Sequence, residues 1–336
     1  MSATKTAAVL SAPGPIAADR LHIERSPIVP PQAGQIQVMV RACGVCRTDL
    51  QIVEGMLPLR RTPVVPGHQI VGIVSAVGPG VAMPIGTRVG ISWMGGTDGT
   101  CRFCREGREN LCDAPVFTGY DVDGGYATVA TARADFAHPL SDALDDLHVA
   151  PLLCAGIIGF RALRVAGVQP GERVGLYGFG ASAHLVLPIL KHWGCSVSVA
   201  TRGANHRSFA ERLGADWVGK EADRPPQPLD RAITFAPSGD VVIAALGALR
   251  KCGVVAINAI HLDRMPEFDY HSLLWGEREI RSVANMTRAD ASDFLALAAE
   301  IGLKPETTTF PLVRINDALR ALKDGSVDGA IVIDMS

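Results

Sequence analysis

The chain has 336 residues, of which 48% are hydrophobic and 20% charged, so its composition allows a large core and excludes intrinsic disorder. Its 32 basic and 34 acidic residues give a formal net charge of -2, which favours neither nucleic acid nor an anionic membrane as partner. No apolar run approaches the ~18 residues of a membrane helix, and Pro13 and Pro15 interrupt the start before the apolar core of a signal peptide. We expect a cytoplasmic protein that binds small molecules.

The chain contains eight cysteines. A reducing cytosol disfavours disulfides, so metal binding, catalysis or core packing are the roles to consider for them.

The predicted elements change in character along the chain, as expected for about two domains at this length. In the first part, short apolar stretches separated by Pro, Gly and Asp turns predict an irregular antiparallel β domain, with strands at 35–40, 70–77 and 88–93.

From about Pro151, short apolar runs alternate with helical segments, which predicts βαβ units on a parallel sheet. The strands are expected at 174–177, 197–200, 232–235 and 254–258, and the helices between them at 181–192, 206–213 and 241–249. Two amphipathic helices, 289–301 and 315–323, and a strand at 329–334 end the chain.

A glycine motif lies between the first of these strands and its helix. It fits G-x-G-x-x-A and runs from Gly178 through Phe179, Gly180 and Ala181 to Ala183. Gly178 permits a tight turn, and Gly180 permits a close approach of the backbone to a pyrophosphate. The amides at the start of the helix then face the phosphates. The alternative is a purely structural turn.

The segment after the predicted strand 197–200 indicates which dinucleotide binds. An NAD site would place an acidic residue there, but this segment contains Thr201, Arg202 and Arg207 and no carboxylate. A hydroxyl and a guanidinium suit a 2′-phosphate, so we favour NADP(H) over NAD(H). The alternative is that Arg202 is a solvated surface residue and either cofactor is used.

A polar, glycine-rich loop contains a second motif, formed by Asp98, Cys101, Cys104 and Cys112. Three closely spaced cysteines and a carboxylate are typical of a closed tetrahedral zinc site that stabilises a loop without a core of its own. The alternative is a loop that has lost its metal, since the first ligand is not cysteine.

Three further residues, Cys46, His68 and Cys154, are far apart, and each alone would be interpreted as a packing residue. A resemblance connects them. The chain resembles the zinc-dependent medium-chain alcohol dehydrogenases, bacterial and yeast-like branch, at motifs that occur in the family's order: Gly44-Val45-Cys46-Arg47-Thr48-Asp49, Pro66-Gly67-His68, the 98–112 loop, Leu153-Cys154-Ala155-Gly156 and Gly178-x-Gly180.

The resemblance implies an α/β fold in which a Rossmann domain, a doubly wound parallel sheet, is inserted into a GroES-like irregular β-barrel catalytic domain. The expected domains are 1–152 with 290–336, and 153–289. A homo-oligomer, dimer or tetramer, is also expected.

The resemblance also implies the catalytic residues. Cys46, His68 and Cys154 would hold a catalytic zinc, in addition to the structural one, and leave one position for substrate oxygen or water. Thr48 would take the alcohol proton and Asp49 would orient His68. Such a zinc acts as a Lewis acid toward an alcohol or aldehyde.

Other roles follow from the same resemblance. Arg47 would reach the cofactor pyrophosphate, and the backbone near Ile260 and Ser282 would contact the nicotinamide. Trp93 and Leu57 would narrow the pocket toward small or slender substrates; the alternative for Trp93 is ordinary core packing.

Three residues depart from the family pattern: Gln51, where relatives have a proton-relay histidine; Gln69, where glutamate is usual; and Asp98. None removes a catalytic ligand, so we expect an enzyme that transfers hydride between a primary, benzylic or allylic alcohol and NADP(H). The alternatives are a zinc-free quinone or enoyl reductase, which would lack both ligand sets, and an inactive zinc-loop scaffold.

Overall fold

The structure, a computed structural model, describes residues 3–327 and 329–335. The chain divides into two compact units, which we call unit 1 (Met1–Cys154 with Thr287–Ser336) and unit 2 (Ala155–Met286). Unit 1 is therefore built from both ends of the chain, and unit 2 is an insertion between them.

The regular elements are numbered in chain order. The strands are β1 Thr4–Leu10, β2 Leu21–Pro27, β3 Gln35–Val45, β4 Gln69–Val77, β5 Arg88–Ile91, β6 Met94–Gly96, β7 Val116–Phe117, β8 Val129–Arg133, β9 Ala137–Pro139, β10 Arg173–Tyr177, β11 Ser196–Ala200, β12 Trp217–Gly219, β13 Leu229–Thr234, β14 Leu249–Ile257, β15 Glu279–Ser282, β16 Thr307–Pro311 and β17 Ala330–Asp334. The helices are α1 Arg47–Glu54, α2 Arg102–Arg105, α3 Asp146–Val149, α4 Ala155–Ala166, α5 Ala181–His192, α6 Ala204–Arg212, α7 Gly239–Gly247, α8 Tyr270–Leu273, α9 Arg288–Glu300 and α10 Ile315–Asp324.

The main sheet of unit 1 follows the order β16-β17-β3-β4-β5-β9, with β8 also paired to β3. Apart from the parallel pair β16 and β17, its neighbours are antiparallel. This sheet confirms the predicted antiparallel β domain. Strand β3 runs five residues beyond the predicted strand 35–40, because both β4 and β17 pair with its second half.

The pairing of β3 with β4 positions the candidate site. Gly44, near the end of β3, lies opposite Gln69 at the start of β4. The residue that follows β3, Cys46, and the residue that precedes β4, His68, therefore meet at one end of the sheet although 22 positions separate them. The register of two strands thus brings two distant residues together.

Unit 2 contains a six-stranded sheet of order β12-β11-β10-β13-β14-β15, in which all neighbouring pairs are parallel. The strand order reverses at β10 and β13, as in a doubly wound dinucleotide-binding fold. This arrangement confirms the predicted Rossmann fold. The carboxyl ends of the strands lie along one edge, since Tyr177, Ala200, Thr234, Ile257 and Ser282 are linked by successive register pairs.

Close packing of helices in unit 2 requires a small residue on α4. A Cβ at Gly159 would lie 2.5 Å from Cγ1 of Val186 on α5, closer than carbon atoms pack. The glycine therefore allows α4 and α5 to approach each other. The α4 helix itself was missed by the sequence analysis.

Two sequence-based expectations are corrected. The strand expected at 88–93 ends at Ile91, and Ser92 and Trp93 lie outside it, where they take part in contacts described below. Of the roles considered for the cysteines, core packing does not apply to Cys252, which is exposed and has a φ of 60°, at a point where β14 departs from regular pairing with β13.

Within residues 3–327 and 329–335, no single helix is long and apolar enough to cross a membrane. Two successive helical segments, 146–153 and 155–166, satisfy the length and composition criteria only when they are counted together.

A buried histidine in unit 1 makes stability depend on pH. His138 in β9 is only 7% exposed, and its Nε2 lies 3.5 Å from Oγ of Ser92. Burial, with a smaller effect from Arg288, lowers the pKa of His138 from 6.5 to about 4. The unfolded chain therefore binds a proton at this residue more readily than the folded chain, so folded stability decreases as the pH falls below about 6.5.

We predict that His138→Gln reduces this pH dependence. Between pH 7 and pH 5, the wild-type free energy of unfolding should fall by about 2 kcal/mol more than that of the variant, since each unit of pKa difference is about 1.4 kcal/mol. Urea denaturation at a series of pH values measures both slopes. Equal slopes would contradict the assignment, whatever the basal stability of His138→Gln.

Candidate active site

Two thiols and an imidazole converge in unit 1. The ligand atoms of Cys46, His68 and Cys154 all lie within 4.8 Å of one another, and Cys46 Sγ is 3.3 Å from His68 Nε2. Cys154 follows the 3-10 turn Ala150–Leu153, and His68 is fully buried. The structure thus brings together the three residues that spacing alone could not connect.

The carboxylate of Asp49 organises this cluster. It is completely buried and accepts three hydrogen bonds: from the amide of Cys46 (2.9 Å), from the amide of Gly67 (3.2 Å) and from Nδ1 of His68 (3.0 Å). Because Nδ1 donates to Asp49, the neutral imidazole presents its unprotonated Nε2 to the thiols. This is the tautomer that a metal ligand requires.

The start of α1 places Cys46 and Asp49 together. Cys46 is the N-cap residue, with extended φ and ψ of -131° and 176°, and Asp49 is the third residue of the helix. The two form a capping box, in which Cys46 Sγ accepts from the amide of Thr48 (3.4 Å) and Asp49 accepts from the amide of Cys46. Gly55 ends the helix with a φ of 78°.

This environment favours ionisation of one thiol. A hydrogen bond from the Cys154 thiol lowers the pKa of Cys46, and the same contact raises the pKa of Cys154. The N-terminus of α1 also favours a negative charge at Cys46. Two thiols, one of them readily ionised, and an inward-facing imidazole nitrogen fit a zinc ion.

The remaining predicted residues of α1 lie around the cluster. Thr48 is 9% exposed and directly follows the exposed Arg47, whereas Gln51 is half-buried on the next turn. Leu57 is half-buried beyond the helix, and its amide donates to the carbonyl of Gln51 (3.1 Å). Among the described residues, this backbone hydrogen bond links Leu57 to α1 and not to a ligand.

An aromatic cluster adjoins His68. The ring of Trp93 meets the His68 ring edge-on at 5.1 Å, stacks on Phe117 at 4.7 Å and lies 5.9 Å from Tyr120. Arg60 lies over both Phe117 and Tyr120. Only Trp93 was predicted from the sequence; the other three residues belong to no motif.

Gln69 and Cys43 border the cluster without belonging to it. Gln69 is 2% exposed, and its Nε2 has no hydrogen-bond partner among the described residues. A Cβ at Gly44 would lie 2.8 Å from Oε1 of Gln69, so the glycine makes room for this side chain. Cys43 is buried beside Gly125, and the three-ligand group contains Cys46 instead.

The second predicted ligand set also converges. Ligand atoms of Asp98, Cys101, Cys104 and Cys112 lie within 4.8 Å of one another. The Asp98 carboxylate accepts from the amides of Cys101 (2.8 Å) and Thr100 (2.7 Å), which hold its pKa well below the usual range. Three sulfurs and an ionised carboxylate fit a closed tetrahedral zinc site.

This loop is attached to the C-terminal part of unit 1. Glu109, between the last two cysteines, is 5% exposed and accepts from both the amide (2.9 Å) and Nε (3.2 Å) of Arg288 at the start of α9. The guanidinium of Arg288 lies 4.8 Å from the centre of the Phe136 ring. The loop therefore docks on residues from the far end of the chain.

In unit 2, the glycine motif lies where the sequence predicts a dinucleotide. Gly178 follows β10 with a φ of 85°, which favours glycine, and Gly180 caps α5, which begins at Ala181. A Cβ at Gly180 would enter open space, so the backbone there is accessible to a ligand. The Phe179 side chain instead packs inside, edge-on to Phe209.

Buried polar atoms without partners lie along the same edge of the sheet. Thr234 ends β13 and is fully buried, and Asn258 directly follows β14. Neither Thr234 Oγ1 nor Asn258 Nδ2 has a hydrogen-bond partner among the described residues, as expected where a ligand supplies one. Ile260, which is 87% exposed, follows β14, and Ser282 is the last residue of the neighbouring strand β15.

The residues after β11 have a neighbour that the sequence analysis missed. Thr201 is buried, whereas the Arg202 side chain is 80% exposed and its Nε lies 3.3 Å from Oε1 of Glu221. Arg207 donates to the backbone carbonyls of Thr201 and Arg202 and so supports this turn. Glu221 follows β12, the parallel neighbour of β11, and this adjacency is visible only in the fold.

Comparisons with known proteins agree with both units. Residues 32–142 match the alcohol dehydrogenase GroES-like domain. The chain is 45% identical over 338 residues, 99% of this chain and 98% of the relative, to a probable alcohol dehydrogenase AdhA of Mycobacterium tuberculosis (strain CDC 1551 / Oshkosh). It is 34% identical over 310 residues, 89% of this chain and 92% of the relative, to an alcohol dehydrogenase of Geobacillus stearothermophilus.

A solved structure supports the fold. A cobalt- and zinc-bound thermostable alcohol dehydrogenase from Pyrobaculum aerophilum superimposes with a TM-score of 0.87 at 23% identity, covering 99% of this chain and 100% of the other. The two relatives, the matching domain and the motifs in register lead to one conclusion: this oxidoreductase belongs to the zinc-dependent medium-chain alcohol dehydrogenase family.

Proposed function

We propose that this enzyme transfers hydride between a primary, benzylic or allylic alcohol and NADP(H), with a catalytic zinc held by Cys46, His68 and Cys154. The observation that carries the proposal is the convergence of these three ligands around a histidine that Asp49 holds in the metal-binding tautomer. A zinc-free quinone or enoyl reductase would not need three converging metal ligands and an oriented histidine, and neither would an inactive scaffold.

The ligand set suits the reaction class. Two thiolates and one imidazole leave a coordination position for the substrate, and zinc bound there supplies Lewis-acid polarisation of the alcohol or carbonyl oxygen. The protein preorganises two of the three ligands, Cys46 and His68, because the strand register and the Asp49 hydrogen bonds position them without the metal.

Thr48 is the residue that handles the proton. It follows the cluster ligand Cys46 by two positions, and its amide donates to Cys46 Sγ, so the residue is held beside the site. We assign its hydroxyl oxygen as acceptor of the alcohol proton. Gln51, half-buried on the next turn of α1, cannot carry that proton further, so the relay passes to water from there.

The 98–112 loop would hold a second zinc with a structural role. All four positions are occupied by Asp98, Cys101, Cys104 and Cys112, which leaves no place for substrate. Its effect is to stabilise the loop that docks on Arg288 through Glu109.

Unit 2 would hold the nicotinamide cofactor, which when bound accepts or delivers the hydride. The amides at Gly180 and Ala181 and the open space at Gly180 suit a pyrophosphate. Arg47, which is exposed, is kept as a proposed phosphate ligand from the family resemblance. Thr201 and Arg202 suit a 2′-phosphate, which supports NADP(H). Ile260 and Ser282 are proposed to contact the nicotinamide through their backbone.

The aromatic cluster favours slender or planar substrates. Trp93, Phe117 and Tyr120 present rings beside His68, so a flat benzylic or allylic group can pack against them. Leu57 is kept as a proposed pocket residue. A homo-oligomer, dimer or tetramer, and a cytoplasmic location likewise remain proposals.

The zinc assignment predicts two zinc ions per chain, of which only the catalytic one should be lost more easily to a chelator when Asp49 is changed. Asp49→Asn replaces one acceptor oxygen with an NH₂ group that faces a donor, so zinc affinity at the catalytic site should fall about 10- to 100-fold. After dialysis against a chelator that leaves wild type fully loaded, metal analysis should find about one zinc per chain in this variant. Zinc-free wild type that remains active would overturn the proposal.

Thr48 provides a separate test of proton transfer. Thr48→Ala should lower kcat by about 100-fold or more, because loss of a proton-transfer group typically costs 10²- to 10⁴-fold. Thr48→Ser is the matched control and should keep most of the activity, and zinc content should stay at the wild-type value in both variants. Unchanged turnover in Thr48→Ala would show that the proton leaves by another route.

Arg202 tests the cofactor. Arg202→Ala should raise the KM for NADPH by about tenfold or more, since a hydrogen bond to a charged group contributes about 1.5–3 kcal/mol. The KM for NADH should change far less. Arg202→Lys keeps the charge but not the planar guanidinium, so its KM for NADPH should lie between those of wild type and Arg202→Ala. Equal effects on both cofactors would mean that the 2′-phosphate is not read by this residue.

A further inference from the structure

The pairing of Arg202 with Glu221 adds a carboxylate to the end of unit 2 where a 2′-phosphate is proposed to bind. Arg202 Nε lies 3.3 Å from Glu221 Oε1. The Glu221 side chain is 20% exposed and that of Arg202 is 80% exposed, so the glutamate lies deeper and the arginine can be reached from solvent. The guanidinium is therefore already engaged before any cofactor arrives.

Hydrogen bonds fix the backbone around both Arg202 and Glu221. On one side, the amide of Thr201 donates to the carbonyl of Gly219 (3.0 Å), which extends the pairing of β11 with β12, and Arg207 holds the carbonyl of Arg202. On the other, Lys220 and Asp223 close a turn around Glu221 through reciprocal hydrogen bonds. The two charged side chains are thus presented to each other by the sheet itself.

A 2′-phosphate at Arg202 would meet the Glu221 carboxylate. The phosphate carries more than one negative charge, and both groups seek the same guanidinium, so binding of the phosphate weakens the ion pair or brings two like charges close together. A ribose with a free 2′-hydroxyl has no such conflict. Glu221 therefore acts on one cofactor and hardly on the other.

We propose that Glu221 is a specificity-determining residue: its carboxylate competes with the 2′-phosphate for Arg202 and so moderates the preference for NADP(H) over NAD(H). The inference rests on the proposed function, since it needs Arg202 to bind the 2′-phosphate. With the carboxylate in place, the enzyme accepts both dinucleotides more evenly than Thr201 and Arg202 alone would dictate.

Direct binding to the purified enzyme tests this proposal without reference to turnover. The probes are adenosine 2′,5′-bisphosphate and 5′-AMP, which differ only in the 2′-phosphate, and calorimetry gives the Kd of each. Glu221→Gln should bind the bisphosphate about 5- to 10-fold more tightly than wild type, while its Kd for 5′-AMP changes less than about twofold. Exposed ion pairs contribute little to stability, so the variant should fold.

Glu211→Gln is the matched control. Glu211 is an exposed carboxylate on α6, the helix after Arg202, so this change removes the same charge without touching the pair. It should leave the Kd of both probes within about twofold of wild type. If Glu211→Gln tightened binding of the bisphosphate as much as Glu221→Gln does, the effect would come from overall charge, and the proposal would be overturned. An unchanged Kd for the bisphosphate in Glu221→Gln would also overturn it.

Experiments in the Arg202→Ala variant distinguish the proposed competition by Glu221 from the NADP(H) assignment itself. If the effect of Glu221 passes through Arg202, adding Glu221→Gln to Arg202→Ala should give no further gain for the bisphosphate, and an equal gain in both backgrounds would overturn the competition. If Arg202→Ala alone leaves the Kd of the bisphosphate unchanged, it is the NADP(H) assignment that fails. The two failures are therefore distinguishable.

Discussion

The site depends on one buried carboxylate. Asp49 accepts from two backbone amides and one imidazole, and these three donors belong to the residue that caps α1 and to the loop that leads into β4. A carboxylate buried without such partners would be strongly destabilising, so the structure around Asp49 has to close for the chain to fold. The same closure sets the orientation of His68 and the position of Cys46, so folding and metal binding share one set of hydrogen bonds.

The periodic parts of the fold could be predicted from the sequence because local patterns determine them. The predicted helix at 181–192 coincides with α5, and the four predicted strands of unit 2 all form, with ends shifted by a few residues. A parallel sheet buried on both faces produces continuous apolar runs, and such runs are easily found in a sequence. In unit 1, the helix α1 was missed, since its eight residues contain only three apolar positions, Leu50, Ile52 and Val53, which are too few to show a helical period.

The site was predictable only in part, and for a physical reason. Cys101, Cys104 and Cys112, with two and seven residues between them, belong to one loop, so their spacing alone indicates the second zinc site. Cys46, His68 and Cys154 meet through strand register and a distant turn, which no local pattern encodes, and a family resemblance was needed to connect them. Phe117 and Glu221 were missed for the same reason, because each reaches its partner only across the folded sheet.

The discontinuity of unit 1 has a consequence for synthesis on the ribosome. Strand β3, which leads into Cys46, pairs along its second half with β17, from Ile331 opposite Val45 to Asp334 opposite Ala42. The partner strand thus emerges only after the whole of unit 2 has been made. During translation, the second half of β3, directly before Cys46, therefore keeps one edge unpaired until β17 has been made.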